Sequence, residues 1–126
     1  YKRQLLLLGK SATEARTTAL EALKSVGLGE RSEHRPSELS GGQQQRVAIA
    51  RAIVHSPTVI LCDEPTGNLD SATSKSVMKL LKTINEKIGT TFLLVTHDGE
   101  VAKQCSRVLR MEDGIIVSDD RGQEEE

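Results

Sequence analysis

Apolar residues recur at helical spacing in three stretches and run unbroken in two, which predicts a mixed α/β chain. Ala12, Ala15, Ala19, Leu23 and Val26 share one face of a helix expected between Gly9 and Val26. Ser11-Ala12-Thr13-Glu14 has the spacing of a capping box at its start, and Gly27 and Gly29 end it. A polar link, 30–38, carries Pro36. A second helix is expected after Ser40, with Gln43 completing another capping box; it runs through Val47, Ala50 and Val54 and stops before Pro57. Thr58-Val59-Ile60-Leu61-Cys62 is a short continuous apolar run, expected to be a parallel strand covered on both faces. A third helix starts near Asp70, places Val77, Leu81, Ile84 and Ile88 on one face, and closes at Gly89. Residues 91–96 form a second buried strand, and 100–104 a short helix. Arg107–Glu112 and Ile115–Ser118 flank Asp113-Gly114, a two-residue hairpin signal. The succession implies an α/β core with a parallel sheet and an antiparallel edge.

Composition narrows the function classes. The 126 residues allow one ordinary domain at most. Apolar residues are 37%, charged residues 28%, and the net charge is −1, which excludes a disordered chain and a strongly basic nucleic-acid binder. No apolar run reaches membrane-span length, and Tyr1-Lys2-Arg3-Gln4 with four following leucines is no secretory signal. Aromatic residues are 2%, so no stacking platform for single-stranded nucleic acid is expected. Cys62 and Cys105 read as reduced thiols rather than a disulfide framework. Residues 119–126 carry five acids and one Arg and read as a solvated, flexible tail.

Three constellations carry candidate chemistry. Leu39-Ser40-Gly41-Gly42-Gln43 places two glycines at a helix start, where unpaired N–H groups and the helix dipole attract anions. Two adjacent glycines cost backbone entropy and a helix start has no structural need of both, so Ser40, Gly41 and Gly42 read as an anion cradle; an ordinary cap on a flexible link is the alternative. Asp63 and Glu64 follow a strand, at the sheet edge where α/β folds bind ligands. Asp63 suits a hydrated Mg²⁺, and Glu64 suits a base that orients water, provided the backbone turns after Asp63; two solvated loop acids are the alternative. His97, after the second strand, falls at the same edge and is placed to reach a phosphate oxygen or the attacking water.

The order and gaps of these pieces resemble the ATP-binding-cassette (ABC) ATPase domain. Leu39 to Arg46 looks like the family's signature motif, Val59 to Glu64 like its Walker B strand, Asn68-Leu69-Asp70 like its D-loop and His97 like its switch histidine. Pro65 to Asp70 is similar to the subgroup of lipoprotein-releasing, macrolide-export and cell-division cassettes. The match covers only the second half of the family domain. Gly9-Lys10-Ser11 lacks the first glycine of a Walker A loop, since Gln4 stands in its place, and reads as a decoy. The chain is therefore expected to be a C-terminal fragment or a truncated product.

The resemblance implies a partial P-loop NTPase fold, with helices on both faces of mainly parallel strands and a C-terminal β-hairpin. It divides the chain into a remnant helical subdomain (1–57), a catalytic α/β core (58–118) and the acidic tail (119–126). It implies ATP and Mg²⁺ as cofactors, with Asp63 at the metal and Glu64 and His97 in catalysis. Ser40, Gly41, Gly42 and Gln43 would contact ATP held by a second cassette, and Asp70 would lie at the dimer seam. A separate membrane permease and a place on the cytoplasmic face of the membrane complete the implication, with no nucleic-acid partner. The fragment itself is expected to lack activity. The rival readings are a docking or regulatory fragment, a gene remnant, and a non-transport ABC-type ATPase of DNA repair or chromosome structure. A further alternative is a cradle for some other phosphorylated ligand.

Overall fold

The computed structural model describes residue 9 and residues 11–121. Helix α1, Ala12–Ser25, opens at the capping box read from the sequence: the Ser11 hydroxyl accepts the Glu14 N–H at 3.3 Å, and Glu14 Oε2 accepts the Ser11 N–H at 2.9 Å. Its buried face is Ala15, Ala19 and Ala22, with Val26 just past its end; Ala12 is exposed. Gly27 then takes φ +76°, the left-handed turn that ends the helix. The polar link forms two 3₁₀ turns, Gly29–Arg31 and Pro36–Glu38. Helix α2, Gly41–Ile53, follows, capped by Ser40.

Strands β1, Val59–Asp63, and β2, Thr91–Val95, are parallel and are joined through helix α3, Ser71–Ile88. Gly89, at φ +70°, stops α3 where the sequence puts its end, although Ile88 is 51% exposed rather than packed. Register is pinned at the base of the pair. The buried Thr90 hydroxyl donates to the Pro57 carbonyl at 2.8 Å, and the Thr91 N–H donates to the Thr58 carbonyl at 2.8 Å. Val59 thereby faces Thr91, and the pairing runs in phase to Asp63 opposite Val95.

The three long helices and the two strands share one core. Ile60 is buried in it, and Cys62, Phe92 and Leu94 pack against it. Arg46 of α2 braces the helices: its guanidinium donates to the Val26 carbonyl at 2.9 Å and to Ser76 Oγ of α3 at 2.8 Å. Burial of the strands on both faces is not what the structure has. Val59, Leu61, Leu93 and Val95, on the other face, are 52%, 74%, 53% and 60% exposed. A five-residue apolar run shows that a strand is suited to burial but does not say which faces are covered.

The short helix α4, Gly99–Ala102, starts one residue earlier than expected and inserts Val101 into the core. Strands β3, Arg107–Glu112, and β4, Ile115–Arg121, form the hairpin, turning through Asp113 (φ +47°) and Gly114 (φ +78°) as a two-residue turn with both φ positive requires. Among the described residues this hairpin is its own two-stranded sheet rather than an edge of the parallel pair. The expected flexible tail from 119 is corrected as well. Asp119 to Arg121 continue β4, and Arg107 donates to both Asp119 oxygens, at 2.8 and 2.7 Å. Paired charges and ladder bonds order a segment that charge density alone marks as solvated. The rest of that acidic stretch, 122–126, lies outside the described residues, as do Lys10 of the Gly-Lys-Ser sequence and 1–8.

Candidate active site

The in-phase pairing of β1 and β2 delivers Glu64 and His97 to the same edge. The ladder extends one step beyond the strands, since the Glu64 N–H donates to the Val95 carbonyl at 2.9 Å. Glu64 then adopts φ +44°, a left-handed conformation rare for a residue with a side chain. This is the turn that the two adjacent acids required. It is held by the Gly67 N–H donating to the Glu64 carbonyl at 3.2 Å, above the buried Pro65 and Thr66.

The Glu64 carboxylate is bound by three donors. Oε1 lies 2.6 Å from His97 Nδ1 and accepts the His97 backbone N–H at 3.0 Å, while Oε2 accepts the Thr96 hydroxyl at 3.1 Å. The His97 ring beside it holds the Glu64 carboxyl below the usual carboxylate range, and Glu64 in turn raises the imidazole above its ordinary value. The two groups form a charged pair at an open edge: the imidazole side chain is 87% exposed and the carboxylate 35%.

Asp63 is exposed and makes no hydrogen bond or ion pair with other described residues, so its carboxylate is available to a ligand. Among the described residues no three His, Cys, Asp or Glu side chains converge as a metal cage. That donor set fits Mg²⁺, which takes one or two carboxylates and fills its octahedron with water and substrate phosphate oxygens.

The glycine corner lies elsewhere in the fold. The Ser40 hydroxyl accepts the Gln43 N–H at 3.3 Å, and Gln43 Oε1 accepts the Ser40 N–H at 3.0 Å. This closed capping box occupies Gln43 and leaves the Gly41 and Gly42 N–H groups and the Ser40 O–H proton as donors. Ser40 and Gly41 are exposed, but Gly42 is buried. A Cβ on Gly42 would collide with Thr73 Cγ2 of α3, whereas one on Gly41 would meet Leu69 at an ordinary 3.5 Å. The expectation that the helix start has no structural need of both glycines is thus corrected at Gly42: α2 and α3 approach too closely there for a side chain.

Asp70 caps α3. Its Oδ2 accepts the Ala72 and Thr73 N–H groups, both at 3.1 Å, and its Oδ1 accepts the Thr73 hydroxyl at 2.5 Å. These bonds, led by the Thr73 hydroxyl, hold its carboxyl below the ordinary value. Sequence reasoning missed Thr96, Thr73 and the bracing role of Arg46, because each works through a partner distant in sequence or a close helix approach. Ser11 is committed to the cap of α1. Cys62 and Cys105 are free thiols, both raised by burial.

The described residues thus form a parallel βαβ unit with an acid pair and an imidazole at its carboxyl edge, and a glycine-rich helix start lies in the same chain. The family model of ABC transporters matches residues 2–67, more than half of the chain, and the chain belongs to that family. Among solved structures it is similar to MJ0796, described as a bacterial ABC transporter cassette, in a dimeric form (49% identity, TM-score 0.73, 89% of this chain and 49% of that one). It matches the post-hydrolysis dimer of the same cassette bound to ADP and Pi with 48% identity, the same coverage and the same TM-score. It is also similar to CbiO1 of Clostridium perfringens, part of an ABC transporter complex (33% identity, TM-score 0.83, 89% and 45% coverage). The chain spans about half the length of these structures. Among the described residues no helix is long and apolar enough to cross a membrane.

Proposed function

We propose that these residues form the hydrolytic and trans-acting part of an ATP-binding cassette that drives a separate membrane permease. The observation that carries this reading is the Glu64–His97 pair, 2.6 Å apart at the carboxyl edge of two in-phase parallel strands. Family membership and the dimeric, ADP-bound relative support it.

In this reading Asp63 holds a Mg²⁺, which when bound neutralises the phosphate oxygens of the nucleotide. Glu64 orients the attacking water and takes its proton. Its three donors weaken it as a base, so the exposed His97 ring turns away from Oε1 toward the terminal phosphate when ATP arrives. The ring loses little packing by doing so, and it leaves to the water a lone pair of Oε1, which keeps the His97 backbone N–H. Ser40, Gly41 and Gly42 offer their O–H and N–H donors to the phosphate of ATP held by a second cassette. Gln43 supports that corner by holding the cap, and Asp70 stands at the start of α3 beside it, at the seam between the two cassettes. Phosphoryl transfer is mostly positioning and charge stabilisation, so two surfaces that close on one nucleotide make a complete site only together. The cassette would then sit on the cytoplasmic face of the membrane, against the permease.

The test is a cassette in which these 126 residues are completed by the part of MJ0796 that they do not span. Glu64→Gln should lower its ATPase rate about 10²–10⁴-fold and leave ATP binding intact. Loss of binding, or an unchanged rate, would assign Glu64 to structure instead. The 126-residue chain alone should show no steady-state ATPase. Turnover by the purified chain that Glu64→Gln abolishes would overturn that part of the reading.

A further inference from the structure

We propose that Thr96 is the positioning residue that fixes the rotation of the Glu64 carboxylate. Its catalytic meaning rests on the reading of Glu64 as the base; its geometry does not.

The argument starts from register. Asp63 pairs with Val95, so the next in-phase partners are Glu64 and Thr96. The Glu64 N–H to Val95 carbonyl bond extends the ladder to that step and fixes their separation from the backbone upward. A threonine hydroxyl has one proton and two lone pairs. Here one lone pair accepts the Asp98 N–H at 3.1 Å, which leaves the proton free to point at Glu64 Oε2, also 3.1 Å away. The loop bond and the acceptor-only carboxylate together set the direction in which the hydroxyl donates.

A carboxylate held through one oxygen can still swing about its last bond. Both other donors, the ring and the backbone N–H of His97, lie on Oε1. Thr96 supplies the bond on Oε2. If the exposed ring leaves, the carboxylate keeps one donor on each oxygen, and its plane stays fixed. Without Thr96 the same event leaves a single donor and a rotating group. Misorientation of a reacting group by about an ångström costs on the order of 10²-fold in rate.

The competing role for Thr96 is a loop cap, holding the Asp98 N–H ahead of α4 and nothing more. The two roles move different signals in NMR spectra of the 126-residue chain. In Thr96→Val the positioning role predicts faster exchange of the His97 amide, up to about tenfold because its charged acceptor Oε1 is then free to swing and the bond weakens, and a shifted His97 Nδ1 resonance. Thr96→Ser should retain both native signals. A loop cap predicts faster exchange at Asp98 alone, with His97 unchanged, and that result overturns the proposal. So does a folded Thr96→Ser that loses the His97 signals.

A second measurement leaves Thr96 untouched, in case the valine variant does not fold. The Thr96 hydroxyl proton should be protected from water in the unaltered chain and lose that protection in Glu64→Ala. Equal exchange in the two chains overturns the proposal. None of these readouts uses ATP, so their failure leaves the Glu64 rate test standing, and failure of the rate test leaves these standing.

Discussion

Glu64 combines two unfavourable features, a left-handed backbone and a carboxylate whose basicity is held down by its donors. Both follow from its place one step past a strand. The pair it forms with His97 makes stability depend on pH, and the signs can be worked out. The Glu64 value is lowered from its ordinary 4.5, so its contribution is present above 4.5 and is lost as pH falls through the depressed value. The His97 value is raised from 6.5, so its contribution is complete below 6.5 and is lost as pH rises through the raised value. The difference in Tm between the native chain and His97→Gln should therefore be largest from pH 4.5 to 6.5 and shrink on both sides. A difference that is flat with pH would mean the two side chains do not pair in solution. The sequence places Glu64 and His97 at one edge because ionisable residues after apolar runs stand out. It does not single out Thr96, whose hydroxyl gains a role only once the register puts it opposite Glu64.

Helix starts and stops were the most legible elements. Ser11, Ser40 and Asp70 cap α1, α2 and α3, and Gly89 ends α3, because capping chemistry is local to a few residues. Helix packing was not legible, and Gly42 shows why. Its missing side chain answers to Thr73, which lies in another helix and is invisible to any local pattern. Gly42→Ala should cost about 1–3 kcal/mol by overpacking, measured by denaturant unfolding. Thr73→Ser keeps the hydroxyl that Asp70 accepts and removes the Cγ2 in the way, so the double substitution should recover a large part of that loss. Additive effects would show that α2 and α3 do not touch there. The same contact ties the glycine corner to the Asp70 turn, with Leu69 against Gly41 and Arg46 bonded to Ser76 completing the link. Motion of one should carry the other.

Among the described residues there is one well-packed core, and one face of the parallel pair is exposed. Val59, Leu61, Leu93 and Val95 form an exposed apolar stripe, the kind of contiguous patch that attracts an apolar ligand or partner. The chain should therefore enhance fluorescence of a hydrophobic dye such as ANS, and Leu61→Thr with Leu93→Thr should remove most of that signal without lowering Tm. An unchanged signal would show that the stripe is covered in solution. The sequence conveyed the parallel strands but not their bare side, since coverage belongs to what lies around a strand and not to its residues. The seam near Pro57 and Thr90 has a consequence at the far end of the molecule. Two bonds there, from the Thr90 hydroxyl and the Thr91 N–H, set where both strands begin counting. One residue added or deleted in either strand would displace its tip by about 3.3 Å, more than any of the bonds around Glu64 can stretch. Length, as much as side-chain identity, is thus what an indel in 58–63 or 91–96 would corrupt.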